Sequence, residues 1–135
     1  MGNSSGGGVK KKILIVDDEA DVRVYLETLF QDNGYATITA DDGKQAMETV
    51  LREAPDLITL DISMPEESGV RMYRTLQEDA ELSKIPIIIV TGLSSDFKRF
   101  MGHMEKRQKV SAPAGYFEKP IDKQEILNRI KELIG

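Results

Sequence analysis

Five residues of this chain could do chemistry together, and each stands at or just past the end of an apolar run. Asp17-Asp18 follow Ile13-Leu14-Ile15-Val16, Asp61 follows Leu57 to Leu60, Thr91 follows Ile87 to Val90, and Lys119-Pro120 come just after Tyr116-Phe117. If the runs are neighbouring strands, three carboxylates share one crevice. Two unit charges ~4 Å apart repel by about 4 kcal/mol at an effective dielectric of about 20, so an unpartnered trio would raise a pKa or open the fold. A cation is the natural remedy. Hard carboxylate oxygens on a rigid scaffold suit Mg²⁺, which takes octahedral oxygen coordination at ~2.1 Å and commonly works with phosphate. Taken singly, each residue has a plainer role. Asp17-Asp18 would cap a helix starting near Glu19, Asp61 would be a solvated loop carboxylate, Thr91 a β-branched strand residue, and Lys119 a surface lysine with an apolar stem. Their coincidence at four separate strand ends is what weighs against those roles.

The elements that must position these residues follow from periodicity. From Lys10 onward, short β-branched runs alternate with amphipathic stretches five times, the pattern of a parallel sheet with crossover helices. Lys12 to Val16 is the first strand. Val22, Tyr25, Leu26, Leu29 and Phe30 form a helical stripe, and Asn33-Gly34 stops it. Ala36 to Ala40 is the second strand, Asp42-Gly43 a turn, and Ala46, Met47, Val50 and Leu51 the buried face of a second helix closed by Pro55. Leu57 to Leu60 is the third strand. A polar loop leads to a third helix marked by Val70, Tyr73 and Leu76, and Pro86 opens the strand Ile87 to Val90. A fifth short strand lies near Tyr116-Phe117. Asp122 with Glu125 three residues on predicts a capped last helix with the stripe Ile126, Leu127, Ile130, Leu133 and Ile134. Five such units are too few for an eight-stranded barrel, which leaves an α/β fold with an open, doubly wound sheet. Such sheets bind ligands outside the carboxyl ends of their strands, the edge where the chemistry-bearing residues stand.

The 135 residues carry 18 Lys+Arg and 23 Asp+Glu, a net charge of −5, and no cysteine. This suits one domain able to bury a core without crosslinks, and it removes disulfides, thiol nucleophiles and cysteine-ligated metal. The acidic balance gives no electrostatic reason to bind nucleic acid, and no apolar run approaches the ~20 residues needed to cross a bilayer. Residues 1–9 read as a flexible leader, native or expression-derived, and 10–135 as the folded domain; a reducing, cytoplasmic location is expected. Thr91 to Ala114 is the least regular stretch. Ser95 or Asp96 could cap a helix with the stripe Phe97, Phe100, Met101 and Met104, most simply core and alternatively a partner or dimer face. Lys98, Arg99, Lys106, Arg107 and Lys109 read as a solvated basic face, and His103 as an exposed histidine.

Four pieces in order give a family resemblance: Ile15-Val16-Asp17-Asp18-Glu19, Leu60-Asp61-Ile62-Ser63-Met64-Pro65 with Gly69, Val90-Thr91-Gly92, and Tyr116-Phe117-Glu118-Lys119-Pro120. From Lys11 to Ile134 the sequence resembles response-regulator receiver domains of two-component signalling systems. The resemblance implies a flavodoxin-like (βα)5 fold with strand order 2-1-3-4-5. It implies that Asp61 accepts a phosphoryl group from the phosphohistidine of a sensor histidine kinase or phosphotransfer protein. It implies Mg²⁺ ligated by Asp18, Asp61 and the backbone carbonyl of Ser63, with Asp17 acting through water. Lys119 would neutralise the phosphoryl oxygens, Thr91 would bond the group once it arrives, and Tyr116 would swing inward as Thr91 moves. The Lys119-Pro120 bond is typically cis in the family.

The sequence departs from the commonest family pattern in places. Gly92 stands where alanine is frequent, and the stretch from Thr91 to Lys119 is longer than in compact members. Ser63 and Leu93, two beyond Asp61 and Thr91, occupy places that in the family tune water's access to the phosphoryl group; Leu93 is expected to shield it. The expected function is a phosphoacceptor signalling domain, not an enzyme acting on an external substrate, controlling a downstream target or output domain, with a phosphorylation-dependent dimer left open. The alternatives are an aspartate-nucleophile Mg²⁺ phosphatase of haloacid-dehalogenase type and an unphosphorylated docking pseudo-receiver. The first expects an acid two residues after the nucleophile, where this chain has Ser63. With Gly135 directly after the last helix, the domain either acts alone or is a piece of a longer protein.

Overall fold

Each of the five runs expected as strands forms one in the computed structural model, which describes residues 9–92, 98–102 and 112–135. The strands are β1 (Lys12–Val16), β2 (Ala36–Ala40), β3 (Leu57–Asp61), β4 (Ile87–Thr91) and β5 (Gly115–Glu118). All pair in parallel, in the order β2-β1-β3-β4-β5. The helices are α1 (Ala20–Asp32), α2 (Gly43–Glu53), α3 (Ser68–Glu78), α4 (98–102) and α5 (Lys123–Ile134). A short 3-10 turn at Pro65–Glu67 lies inside the expected polar loop after β3, and a second, at Leu82–Lys84, precedes β4. This is the open doubly wound sheet expected, and Phe97, His103, Met104 and the basic Lys106, Arg107 and Lys109 lie outside the described residues, as do Leu93, Ser95 and Asp96.

The alternation of side chains along each strand divides the core into two layers. Leu14, Val16, Ile58, Leu60, Ile87 and Ile89 face α2, α3 and α4, where they meet Ala46, Val50, Met72, Tyr73, Leu76 and Phe100. Ile13, Ile15, Leu57, Ile88 and Val90 face the other way, onto Leu26 and Phe30 of α1 and Ile126 and Ile130 of α5. Burying each of these large apolar side chains contributes about 1.5–3 kcal/mol. Phe100 sits edge-on to Tyr73, ring centroids 5.0 Å apart, so the part of its stripe described here is core. Lys98 and Arg99 beside it are exposed, as a solvated face requires.

Helix ends follow their local chemistry, with some differences from expectation. Asp42-Gly43 is not a free turn: Asp42 accepts from the Gln45 N–H at 2.8 Å and caps α2, whose first residue is Gly43. Asp122 caps α5 in the same way. Gly34 adopts φ 92 just beyond α1, a conformation a glycine takes without penalty. Two stripe members expected inside are outside: Tyr25 is 45% and Leu51 71% exposed. The sheet covers only part of each apolar stripe. Asp61 and Thr91 are the last residues of β3 and β4 rather than the first of the loops, which fixes their backbones in the ladder. Among the described residues no helix is long and apolar enough to cross a membrane.

Candidate functional site

The strand order reverses between β1 and β3, since the chain goes from β1 to β2 on one side and returns to pair β3 on the other. Loops leaving such strands diverge and open a crevice. Asp17 leaves β1, its N–H still bonded to the Ala40 carbonyl at 3.2 Å. Its side chain does not cap α1. Glu19 is the N-cap residue, without a side-chain cap bond, and Asp17 Oδ1 instead accepts the Glu19 N–H at 2.9 Å. Arg23, one turn into α1, donates from Nη1 to the Asp17 carbonyl at 2.8 Å and clamps the loop. Asp17 is thus 1% exposed, while Asp18 beside it faces solvent.

Across the crevice Asp61, also 1% exposed, has its two oxygens in different environments. Oδ1 accepts from both the N–H and the hydroxyl of Ser63, at 2.8 and 2.6 Å. Oδ2 faces Lys119 Nζ at 3.4 Å. Lys119 comes from the loop after β5, where its peptide bond to Pro120 is cis and its N–H donates to the Thr91 carbonyl at 2.8 Å. Its ammonium also lies 2.9 Å from Asp17 Oδ2 and 2.7 Å from Glu19 Oε1. Carboxylate oxygens of Asp17, Asp18, Glu19 and Asp61 all lie within 4.8 Å of one another. One ammonium therefore pairs with three carboxylates, and the fourth, that of Asp18, lies alongside them.

That imbalance has an electrostatic consequence. Burial, with the Asp61 charge adding to it, raises the Asp17 carboxyl to about 6, against the lowering effect of the Glu19 N–H and Lys119. Burial works against the charged form of Lys119 too, yet its contacts with Glu19 and Asp17 and the charge of Asp61 hold it above its ordinary value. The ammonium is at ion-pair distance from Asp17 Oδ2 but not aligned as a hydrogen bond, so that buried oxygen has no hydrogen-bond partner. A buried carboxylate oxygen held by an ion pair but no aligned hydrogen bond, beside three further carboxylates that offer hard oxygen ligands, fits a small divalent cation such as Mg²⁺.

The remaining predicted residues lie around this cluster. Thr91 is fully buried at the end of β4, paired in register with Glu118. Tyr116, on β5, is half-buried and donates its hydroxyl to Glu118 Oε1 at 3.0 Å. Burial first, and Glu118 second, push that hydroxyl up to about 12. Sequence reasoning gave no role to Glu19 or Arg23. Glu19's position directly after two aspartates is a signal that could have found it; Arg23 is one arginine among several charged helix residues and carries none. Gly69, noted only as part of a motif, packs so closely on β3 that a Cβ there would overlap the Asp61 carbonyl.

The sequence and the fold have counterparts among known proteins. The model of the response regulator receiver domain matches residues 13–131. The ycf27 regulator of Porphyridium aerugineum is 38% identical over 93% of this chain and 48% of its own length, so the chain spans about half of that relative. The polar-differentiation response regulator DivK of Brucella anthropi is 32% identical over 93% of this chain and 97% of its own. The solved structure of the chemotaxis protein CheY4 of Vibrio cholerae superposes with a TM-score of 0.79 at 26% identity, covering 93% of this chain and all of that one.

Proposed function

The chain belongs to the response-regulator receiver domain family, and from that premise we propose that Asp61 is a phosphoacceptor, taking its phosphoryl group from the phosphohistidine of a sensor kinase or phosphotransfer protein in the cytoplasm. In this step the N–P bond to the partner's imidazole breaks, an acyl phosphate forms on Asp61, and the imidazole leaves neutral after protonation. The carrying observation is the placement of Lys119 Nζ among Asp17, Glu19 and Asp61 at the carboxyl edge of the sheet. A carboxylate meets a phosphoryl anion only where positive charge offsets both, and positioned charge is most of what phosphoryl transfer needs.

Asp18, Asp61 and the Ser63 carbonyl would hold Mg²⁺ directly and Asp17 through water; when bound, the ion supplies positive charge that one lysine cannot. Ser63 orients the acceptor by fixing Oδ1. Lys119 reaches the phosphoryl oxygens as a point charge on a flexible stem. Thr91 would give its hydroxyl to the group only after it arrives, so the contact biases one of two loop states by its differential free energy, about 1.5–3 kcal/mol for a hydrogen bond to a charged group. Tyr116 leaving Glu118 and turning inward would carry that bias to a downstream target.

Incubation with acetyl phosphate and Mg²⁺, followed by intact-mass measurement, tests the proposal. A labile phosphoryl adduct on the wild type that is lost in Asp61→Asn and in EDTA is expected. Steady release of phosphate from unrelated monoesters would favour a phosphatase instead, and no adduct under any donor would leave a docking module.

A further inference from the structure

Lys119 makes its shortest contact with Glu19, to which the phosphoacceptor reading gives no role of its own. Nζ is 2.7 Å from Glu19 Oε1, and that contact is a true hydrogen bond. Asp61 Oδ2 is farther, at 3.4 Å, and Asp17 Oδ2, at 2.9 Å, is misaligned. Glu19 is built for this. Its N–H is taken by Asp17 Oδ1 and its carbonyl by the Arg23 N–H at 3.1 Å, so the backbone is fixed. Its side chain caps no helix and is 60% exposed, so an exchange of Lys119 for solvent would open no part of the core.

We infer that Glu19 is a positioning residue that draws the Lys119 ammonium away from Asp61 in the resting protein and competes with the phosphoryl oxygens for it afterwards. This rests on the phosphoacceptor reading. In the resting state Glu19 leaves Asp61 Oδ2 only loosely paired. When a phosphoryl group arrives, Lys119 must exchange one anion for another, and the cost of leaving Glu19 falls on the phosphorylated state alone. Glu19 therefore weakens that state and shortens its hold on the lysine.

The test uses Glu19→Gln, which removes the charge, and Glu19→Asp, which keeps the charge but withdraws it by one methylene from Nζ. Neither should disturb folding, since the side chain makes no cap. Beryllofluoride affinity, measured by calorimetry at saturating Mg²⁺, is expected to tighten about two- to fivefold in both variants, the range that an ion pair partly open to solvent supports. In the metal-free protein the ¹⁵N signal of Lys119 Nζ is expected to shift in both, a readout independent of any bound group. Tightening in Gln but not Asp would overturn the proposal, because charge alone would then account for it. Unchanged affinity in both would overturn it as well, as would an unmoved Nζ signal. A wild type that captures no beryllofluoride at all would instead sink the phosphoacceptor reading, and this inference with it.

Discussion

The Cα of Gly69 lies against the backbone of Asp61 and Ile62, leaving no room for a Cβ between α3 and the end of β3. The obstacle is backbone in the sheet ladder, which cannot turn aside as a side chain can. Gly69→Ala must therefore push α3 outward or displace Asp61. We expect a loss of about 3 kcal/mol, the upper end of overpacking costs, together with impaired phosphoryl capture. Urea denaturation measures the first and acetyl phosphate labelling the second. A variant of wild-type stability would mean that α3 slides freely over β3.

A buried carboxyl raised from 3.8 to about 6 makes the protein pH-sensitive in a definite direction. The folded state binds the Asp17 proton more tightly than the unfolded chain does, so this group's contribution is complete below about pH 3.8 and is lost as pH rises through about 6. Asp17 is almost fully shielded from solvent, so the loss amounts to about 2–3 kcal/mol at neutral pH and above. Asp17→Asn in EDTA should be more stable than the wild type at pH 8 by about 1–3 kcal/mol and nearly equal to it at pH 4. Added Mg²⁺ should stabilise the wild type more than the variant. Parallel stability curves for the two proteins from pH 4 to 8 would refute this account.

Much of the site was legible because a parallel sheet puts every strand's carboxyl end on one edge. Four runs ending in Asp, Asp, Thr and a nearby Lys then imply one crevice without any coordinate. Helical periodicity was less complete. It says which residues share a face, but not how far the sheet extends to cover them, and so Tyr25 and Leu51 were misplaced. Glu19 was marked only by its place after two aspartates and Arg23 by nothing, for another reason. Their roles depend on where a long side chain turns after its backbone has been fixed by a loop, and no spacing rule encodes that. The side of β5 on which Tyr116 finds its partner likewise depends on Glu118, a neighbour two residues away on the same strand face.

Thr59, in the middle of β3, is 1% exposed and its hydroxyl has no hydrogen-bond partner. A buried unsatisfied hydroxyl is costly, and valine has nearly the same shape with a methyl in its place. Thr59→Val should therefore raise stability by about 1–2 kcal/mol. Phosphoryl capture should be unchanged, since the strand's course to Asp61 is set by its backbone ladder. A thermal midpoint that falls would indicate that a water partners the hydroxyl in solution.

Tyr116 donates a 3.0 Å hydrogen bond to Glu118, and the same contact helps burial push the hydroxyl up to about 12. Glu118→Gln keeps the shape but removes the charged acceptor. The Tyr116 titration, assigned by difference from Tyr116→Phe, should then move down from about 12 yet stay above 10, because burial, the larger cause, is untouched. If Tyr116 switches as proposed, weakening this bond by about 0.5–1.5 kcal/mol should raise the population of the switched ring roughly two- to twelvefold before any phosphorylation. Ring-proton shifts by NMR report that population. If the titration moves while the ring does not, the Glu118 bond is real but does not hold the switch, and the restraint on Tyr116 must come from its packing.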